Sequence, residues 1–296
     1  MVWLAQVARR VVLPLLATLL LAGFLATLLM RLAPGFGIDQ RELDARLSAG
    51  SVNAIRESHA ADRNPVAFYF RWLSGVLRGD LGHSASLGQP VAQLLGDRAP
   101  VTARAMTAGL VLGWCFGLAL ALVVTGWPST PLEAAAGFLG AVFLCVPSAV
   151  MALLLVFAGG AASQVLVAGG AISLIVFPRV FRYARGMLAQ AAARPHVMTG
   201  RARGLSGARL LFLHILPPVV PSLLALAGVS VSLAFGASIP IEAICDLPGI
   251  GQLAWQAAQQ RDLPLLANLT FLVAGVTVIA NTLSGWVNGR PGEQAP

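Results

Sequence analysis

The chain has 296 residues, of which 57% are hydrophobic and only 11% charged, against about 25% charged in a soluble domain. With 31 Gly and 18 Pro besides, this composition excludes a soluble enzyme and fits lipid-embedded helices, whose neighbours re-satisfy the backbone near Gly and Pro. The net charge is +8 and every basic residue is Arg. The lack of Lys excludes chemistry that needs an amine, such as a phosphate-loop lysine or a Schiff base. In this composition the excess Arg reads as loop charge facing the cytoplasm, and no nucleic-acid partner is expected.

In chain order, residues 1–30 form a short cytoplasmic N-terminus, with Arg9 and Arg10, and a first transmembrane helix over Val11 to Met30, about one bilayer thickness. Residues 31–98 hold eight Arg and seven Asp or Glu, so their charges nearly cancel and they read as a folded extracytoplasmic segment. Residues 99–290 form a core with further spans near 101–125, 133–158, 165–185, 213–238 and 265–288. Within it, 190–212 is a cytoplasmic segment. Seven Arg and no acid between Arg179 and Arg209 place that connection inside. The fold class is therefore all-α: a polytopic membrane protein of six transmembrane helices, with both termini in the cytoplasm.

The informative residues lie at the membrane edges. Pro195 can open a short helix, and Gly204 supplies a turn within Thr199-Gly200-Arg201-Ala202-Arg203-Gly204-Leu205, ahead of Arg209. Two short helices joined there would make a knob projecting from the bilayer, suited to a partner or to anionic lipid heads. Arg78, Gly79 and Asp80 form a candidate turn that docks the outer segment. Glu242, Asp246, Pro248, Gly249, Gly251 and Asp262 form a candidate extracytoplasmic gate after span five. Inside the spans, Pro147, Ser148, Ser230 and Ser232 offer kinks and hydroxyls to a translocation path without a buried charge. The four His and three Cys show no metal-ligand spacing, so no metal site is expected.

Several motifs resemble one family in one order along the chain. Gly204 followed by Ile215-Leu216-Pro217 is similar to the glycine-to-Leu-Pro spacing of the cytoplasmic loop of binding-protein-dependent ABC importer permeases. Arg71-Trp72-Leu73, Arg78-Gly79-Asp80-Leu81-Gly82-His83-Ser84, Pro100-Val101-Thr102, Glu242, Pro248-Gly249-Ile250-Gly251 and Arg261-Asp262 resemble the dipeptide, oligopeptide and nickel branch. Met198-Thr199-Gly200 departs from it, standing where the general loop has Glu-Ala-Ala.

The resemblance implies a type I ABC importer permease fold in a bacterial or archaeal plasma membrane. It further implies a second homologous permease, two ABC ATPase subunits and an extracytoplasmic substrate-binding protein. Thr199 to Leu205 and Arg209 would then couple to the ATPases. No catalytic residue or cofactor is expected in this chain, ATP and Mg belonging to the partners. Two rival functions stay open at the level of sequence: an ATP-independent carrier or channel, and an intramembrane enzyme. The first needs a selectivity ring or buried ionisable site, and the second needs paired carboxylates, a Ser-His pair or a metal set.

Overall fold

The computed structural model describes residues 65–127, 130–159, 162–205 and 207–288, together with positions 17, 20, 21, 23–25 and 28. Most of the expected first span, residues 31–64 and the C-terminus beyond 288 lie outside the described residues. Among those described, the regular structure is helical. In order the helices are α1 (Pro65–Leu77), α2 (Val91–Gly126), α3 (Thr130–Cys145), α4 (Ser148–Gly159), α5 (Gln164–Ala192), α6 (Pro195–Ala202) and α7 (Gly207–Leu210). A π-helical turn, Leu211–Ile215, and a 3-10 turn, Pro217–Val219, lead into α8 (Val220–Ile244), followed by α9 (Ile250–Gln259) and α10 (Leu263–Asn288).

Four stretches are long and apolar enough to cross a bilayer: Val91–Gly126, Gln164–Ala192, Gly207–Ile244 and Leu263–Ser284. At 36, 29, 38 and 22 residues they exceed or match the roughly 20 needed. The stretch expected as one span over 133–158 is instead two helices, α3 and α4, bent by 101° at their junction. Pro147 causes this, because it has no N–H to continue the ladder of α3 and disfavours helical backbone at Val146. The described residues thus contain four spans, or five if the bent pair is one.

Three boundaries also differ from expectation. α2 starts at Val91, so residues 91–98 belong to a long helix rather than to the outer segment. α5 runs through Pro178 to Ala192, beyond the expected end near 185. Arg179 Nη1 donates to Ile175 O at 3.1 Å, bringing a donor to the turn that Pro178 weakens. Helical structure also brackets the span expected over 213–238, from Gly207 to Ile244.

The described chain divides into two compact units, 1–99 with 253–278 and 100–252 with 279–296. In the second, α2 and α5 meet along a stripe without side chains. A Cβ on Gly109 would lie 2.6 Å from Ile172 Cβ, and one on Gly113 or Gly117 would lie 2.9 Å from the Cβ of Val176 or Val180. Spacing by four on both helices keeps the stripe on one face, so the backbones approach closely, as small residues permit in membranes. Phe181, Ala184 and Leu188 of α5 pack with Leu211, Ile215 and Val219 in the core that underlies the α6–α7 region. In the first unit, Tyr69 and Trp72 of α1 pack with Leu263 and Ala267 of α10, with Phe24 and Phe271 alongside.

Candidate functional site

The basic segment after α5 is a capped, rigid turn. Pro195 stands at the start of α6 with Arg194 as its N-cap. At the other end Leu205 N donates to Gly200 O at 3.1 Å and Gly204 N to Arg201 O at 2.9 Å. Gly204 takes φ +83°. This is a Schellman ending, in which a left-handed residue lets the last carbonyls be satisfied. Val197, Gly200 and Leu210 are buried beneath it, while Thr199, Arg201, Ala202, Arg203 and Arg209 are exposed. Thr199 Oγ1 donates to Pro195 O at 3.1 Å. The guanidinium groups of Arg201, Arg203 and Arg209 have no hydrogen-bond or ion-pair partner among the described residues. Positive charge on a turn held in one shape is a surface suited to an acidic partner.

A second arrangement joins α2, α8 and α9. Glu242 was expected just beyond span five as part of a gate's rim, but it lies in the last turn of α8 and is fully buried. Its Oε2 accepts from Gly251 N at 2.7 Å and Gln252 N at 3.3 Å. Thr102 of α2 accepts from Ile250 N at 2.7 Å through its Oγ1 and donates to the Glu242 carboxyl. The first three N–H groups of α9, which have no partner within their own helix, are thus satisfied by two other helices.

Gly249 is required here by space, because a Cβ would fall on Glu242 Oε2 and Thr102 Oγ1. Gly251 likewise sits against Ser238 O and Ile239 of α8. Asp246 and Pro248 are the exposed members of the turn, with Asp246 Oδ1 accepting from Gln252 Nε2 at 2.6 Å. Cys245 is buried beside Glu242, and both burial and that carboxyl push its thiol up, which keeps it protonated.

The third arrangement lies in the first unit. Asp262, named with the candidate gate residues, is 1% exposed. Its Oδ2 accepts from Ser84 Oγ at 2.5 Å, Ser86 N at 2.9 Å and Ser86 Oγ at 2.7 Å. Its Oδ1 accepts from Leu265 N at 3.1 Å, capping α10. Asn268 Nδ2 adds a bond to Leu81 O at 2.9 Å.

The segment between α1 and α2 is therefore fastened by Leu81, Ser84 and Ser86. Arg78, Gly79 and Asp80 instead form the turn that ends α1, where Asp80 Oδ1 accepts from Gly82 N at 2.8 Å. Burial acts to raise the Asp262 pKa, but its hydrogen bonds from Ser84, Ser86 and Leu265 outweigh it and hold the carboxyl below the usual range.

The candidate path residues are separate from these arrangements. Pro147 is exposed at the α3–α4 bend and Ser148 opens α4. Ser230 is buried and its hydroxyl donates to Leu226 O at 2.8 Å. Ser232 is 3.4 Å from Asn281 Oδ1. Thr102, Ser84, Ser86 and Asn268 were not singled out from the sequence. Thr102 and Ser84 nevertheless stand inside the motifs that carried the family resemblance.

Those motifs prove to be contact partners. Thr102 meets Glu242 and the 248–251 turn, and Ser84 meets Asp262. A family model for binding-protein-dependent transport system inner membrane components matches residues 105–290. The chain belongs to this family. It is an ABC importer permease, a multi-pass inner-membrane transport subunit, and such systems include ATPase and substrate-binding partners. The permease is 25% identical over 284 residues to the nickel import system permease proteins NikB of Staphylococcus aureus strains USA300, COL and MW2. Those alignments cover 91% of this chain and 85% of each relative.

Proposed function

We propose that the permease is a path-forming subunit of an ATP-driven importer for a small solute, either a nickel complex or a peptide. It would work beside a second, related permease, with two ATPases at the cytoplasmic face and a substrate-binding protein outside. In this arrangement the chain crosses the membrane six times with both termini inside: the first apolar run, the bent α3–α4 pair and the four long helices. ATP and Mg are held by the ATPases, and closure of those subunits drives a rigid-body change from inward-facing to outward-facing.

The observation that carries this reading is the capped knob of α6 and α7. Its exposed Arg201, Arg203 and Arg209 stand without partners among the described residues, on a turn locked by Gly204. A solvated basic loop needs no such locking, whereas a coupling element does, because only a stiff element transmits a displacement.

The choice of cargo follows from the span chemistry. Among the described residues no three His, Cys, Asp or Glu side chains converge as cation ligands. Glu242 Oε2 and both oxygens of Asp262 already accept hydrogen bonds, each carboxyl from at least one backbone N–H. A bare divalent ion would cross such a path against a large desolvation cost, so a nickel cargo would travel as a chelate that shields its charge.

The test is reconstitution of the co-expressed complex in vesicles, with labelled nickel, with or without a small-molecule chelator, and with a labelled dipeptide. ATP-dependent uptake of one of these is expected. Uptake by this chain alone without ATP would replace the proposal with the carrier reading.

A further inference from the structure

The knob is joined to the spans at both ends, and the two joints differ. On the α5 side the link is covalent and short, with only Ala193 and Arg194 between the helices and Arg194 N donating to Ala191 O at 3.1 Å. On the α8 side, α7, the π-helical turn and the 3-10 turn intervene, so α6 meets the approach to α8 through space.

That approach is short of donors. Pro217 and Pro218 have no N–H, so Leu213 O and His214 O lack the partners that a continuing helix would bring four residues on. Leu216 N donates past Phe212 to Leu211 O at 2.8 Å, which makes the turn π-helical, and Val219 N donates to Leu216 O at 2.9 Å. Neither is left for His214 O. A π-helical turn is uncommon and often marks a functional position.

α6 supplies the missing donor. His196 Nε2 lies 3.3 Å from His214 O, and because a carbonyl only accepts, Nε2 carries the proton. One turn further along the same face of α6, Gly200 is set against the ring of the same residue, where a Cβ would lie 3.6 Å from His214 Cδ2 and 3.1 Å from Leu210 Cδ1. His214 is thus gripped at its carbonyl and at its ring. The rest of the contact is apolar, with Val197 of α6 in the core beside Leu211, Ile215 and Val219. Hydrophobic contact resists separation but sets no direction, whereas a hydrogen bond weakens steeply on misalignment. His196 is the directional part of the joint.

We infer that His196 is a positioning residue for transport: by holding the carbonyl that Pro218 leaves free, it passes a displacement of the knob to the head of α8. The inference rests on the coupling role proposed above for the knob. His214 stands six residues before Val220, the first of α8, so the displacement enters at the base of a span. Without the bond, α6 would slide over its apolar contacts, and part of each ATPase closure would be taken up within the knob.

The test uses the co-expressed complex in vesicles, with uptake of labelled nickel plus chelator, or of a labelled dipeptide, divided by ATP hydrolysed. Solute moved per ATP does not depend on how much complex folds, so a merely structural role would leave it alone. His196→Leu should lower the ratio about fivefold, the population effect of one net hydrogen bond. His196→Gln, whose amide nitrogen reaches as far as Nε2, should restore it to within about twofold of the wild type. Pro218→Ala returns a main-chain N–H four residues after His214, so in that background His196→Leu should lower the ratio by less than about twofold. An unchanged ratio in His196→Leu beside an importing wild type would overturn the inference and leave the proposed function standing. So would an equal fall in His196→Leu and His196→Gln, or an equal fall in the two backgrounds. Absence of ATP-dependent uptake by the wild type would overturn the proposed function, and this inference with it.

Discussion

Replacing Asp262 by Asn tests whether a buried carboxylate holds the segment between α1 and α2. The carboxylate accepts four hydrogen bonds, three of them on Oδ2. An amide keeps one oxygen for Leu265 N but turns an NH₂ toward Ser84 and Ser86. The two hydroxyls can rotate to accept from it, whereas Ser86 N–H is left facing another donor. One orphaned backbone N–H costs about 1–3 kcal/mol, and loss of the charge from the two hydroxyl bonds adds about 1 kcal/mol. The sum of about 2–4 kcal/mol corresponds to roughly 30- to 700-fold more frequent opening.

Hydrogen exchange on residues 82–90 of the purified protein reads this directly. Acid supplies an independent check with a fixed sign. The folded pKa of Asp262 lies below its ordinary value, so its stabilisation is complete above the unfolded carboxyl pKa near ~3.9 and is lost as the pH falls through the lower, folded value. Wild-type protection should therefore hold down to about pH 5 and decline below ~4, after correction for intrinsic exchange, while Asp262→Asn should lack that decline. Protection of the variant within about threefold of wild type at neutral pH would refute the argument.

Gly249→Ala should lower the melting temperature, by about 1–3 kcal/mol of stability, because the new methyl falls on Glu242 and Thr102. Pro248→Ala, at the exposed neighbouring position, should not. Gly204→Pro imposes φ near −65° where the chain has +83°, and it should abolish ATP-dependent uptake in the assembled complex while the subunit still inserts. Arg201→Glu with Arg203→Glu should do the same by charge reversal; wild-type uptake and ATPase stimulation in both variants would remove the knob from coupling. In a background lacking Cys115, Cys145 and Cys245, a cysteine at the exposed Leu87 should react with a membrane-impermeant maleimide in intact cells, and one at the exposed Ala202 should not. The opposite pattern would invert the proposed topology.

The long spans were legible because about 20 uncharged, mostly apolar residues in a row rarely fold as anything but a membrane crossing. The basic knob was legible because seven Arg without an acid are a strong signal. Pro147 and Pro178 show where local reading fails. Both interrupt apolar runs, yet the chain bends by 101° at one and continues as helix at the other. Proline removes a donor in both cases, and its surroundings decide whether the helix survives.

The burial of the acids was not legible for a different reason. Asp and Glu beside a Pro-Gly turn at a span's end look solvent-facing, and only tertiary structure shows that Glu242 and Asp262 turn inward onto backbone N–H groups. Their partners Thr102 and Ser84 are 140 and 178 residues away along the sequence, beyond any periodicity. The family motifs nonetheless contained both members of each pair.

The geometry of the Glu242 arrangement also bears on how such a permease can move. A short helix at a membrane edge ordinarily caps itself with a Ser, Thr, Asp or Asn at its own start. α9 has Gly249 there, and its first N–H groups are taken by Thr102 of α2 and Glu242 of α8. Hydrogen bonds of 2.7 Å weaken steeply with displacement and misalignment. A shift of about 1 Å between α2 and α8 would therefore strand buried donors at about 1–3 kcal/mol each. That cost ties the start of the α2 span, the end of α8 and the start of α9 into one body. Any change of access in which they take part has to carry them together, and the flexible elements must be sought elsewhere, the bent junction at Pro147 first among them.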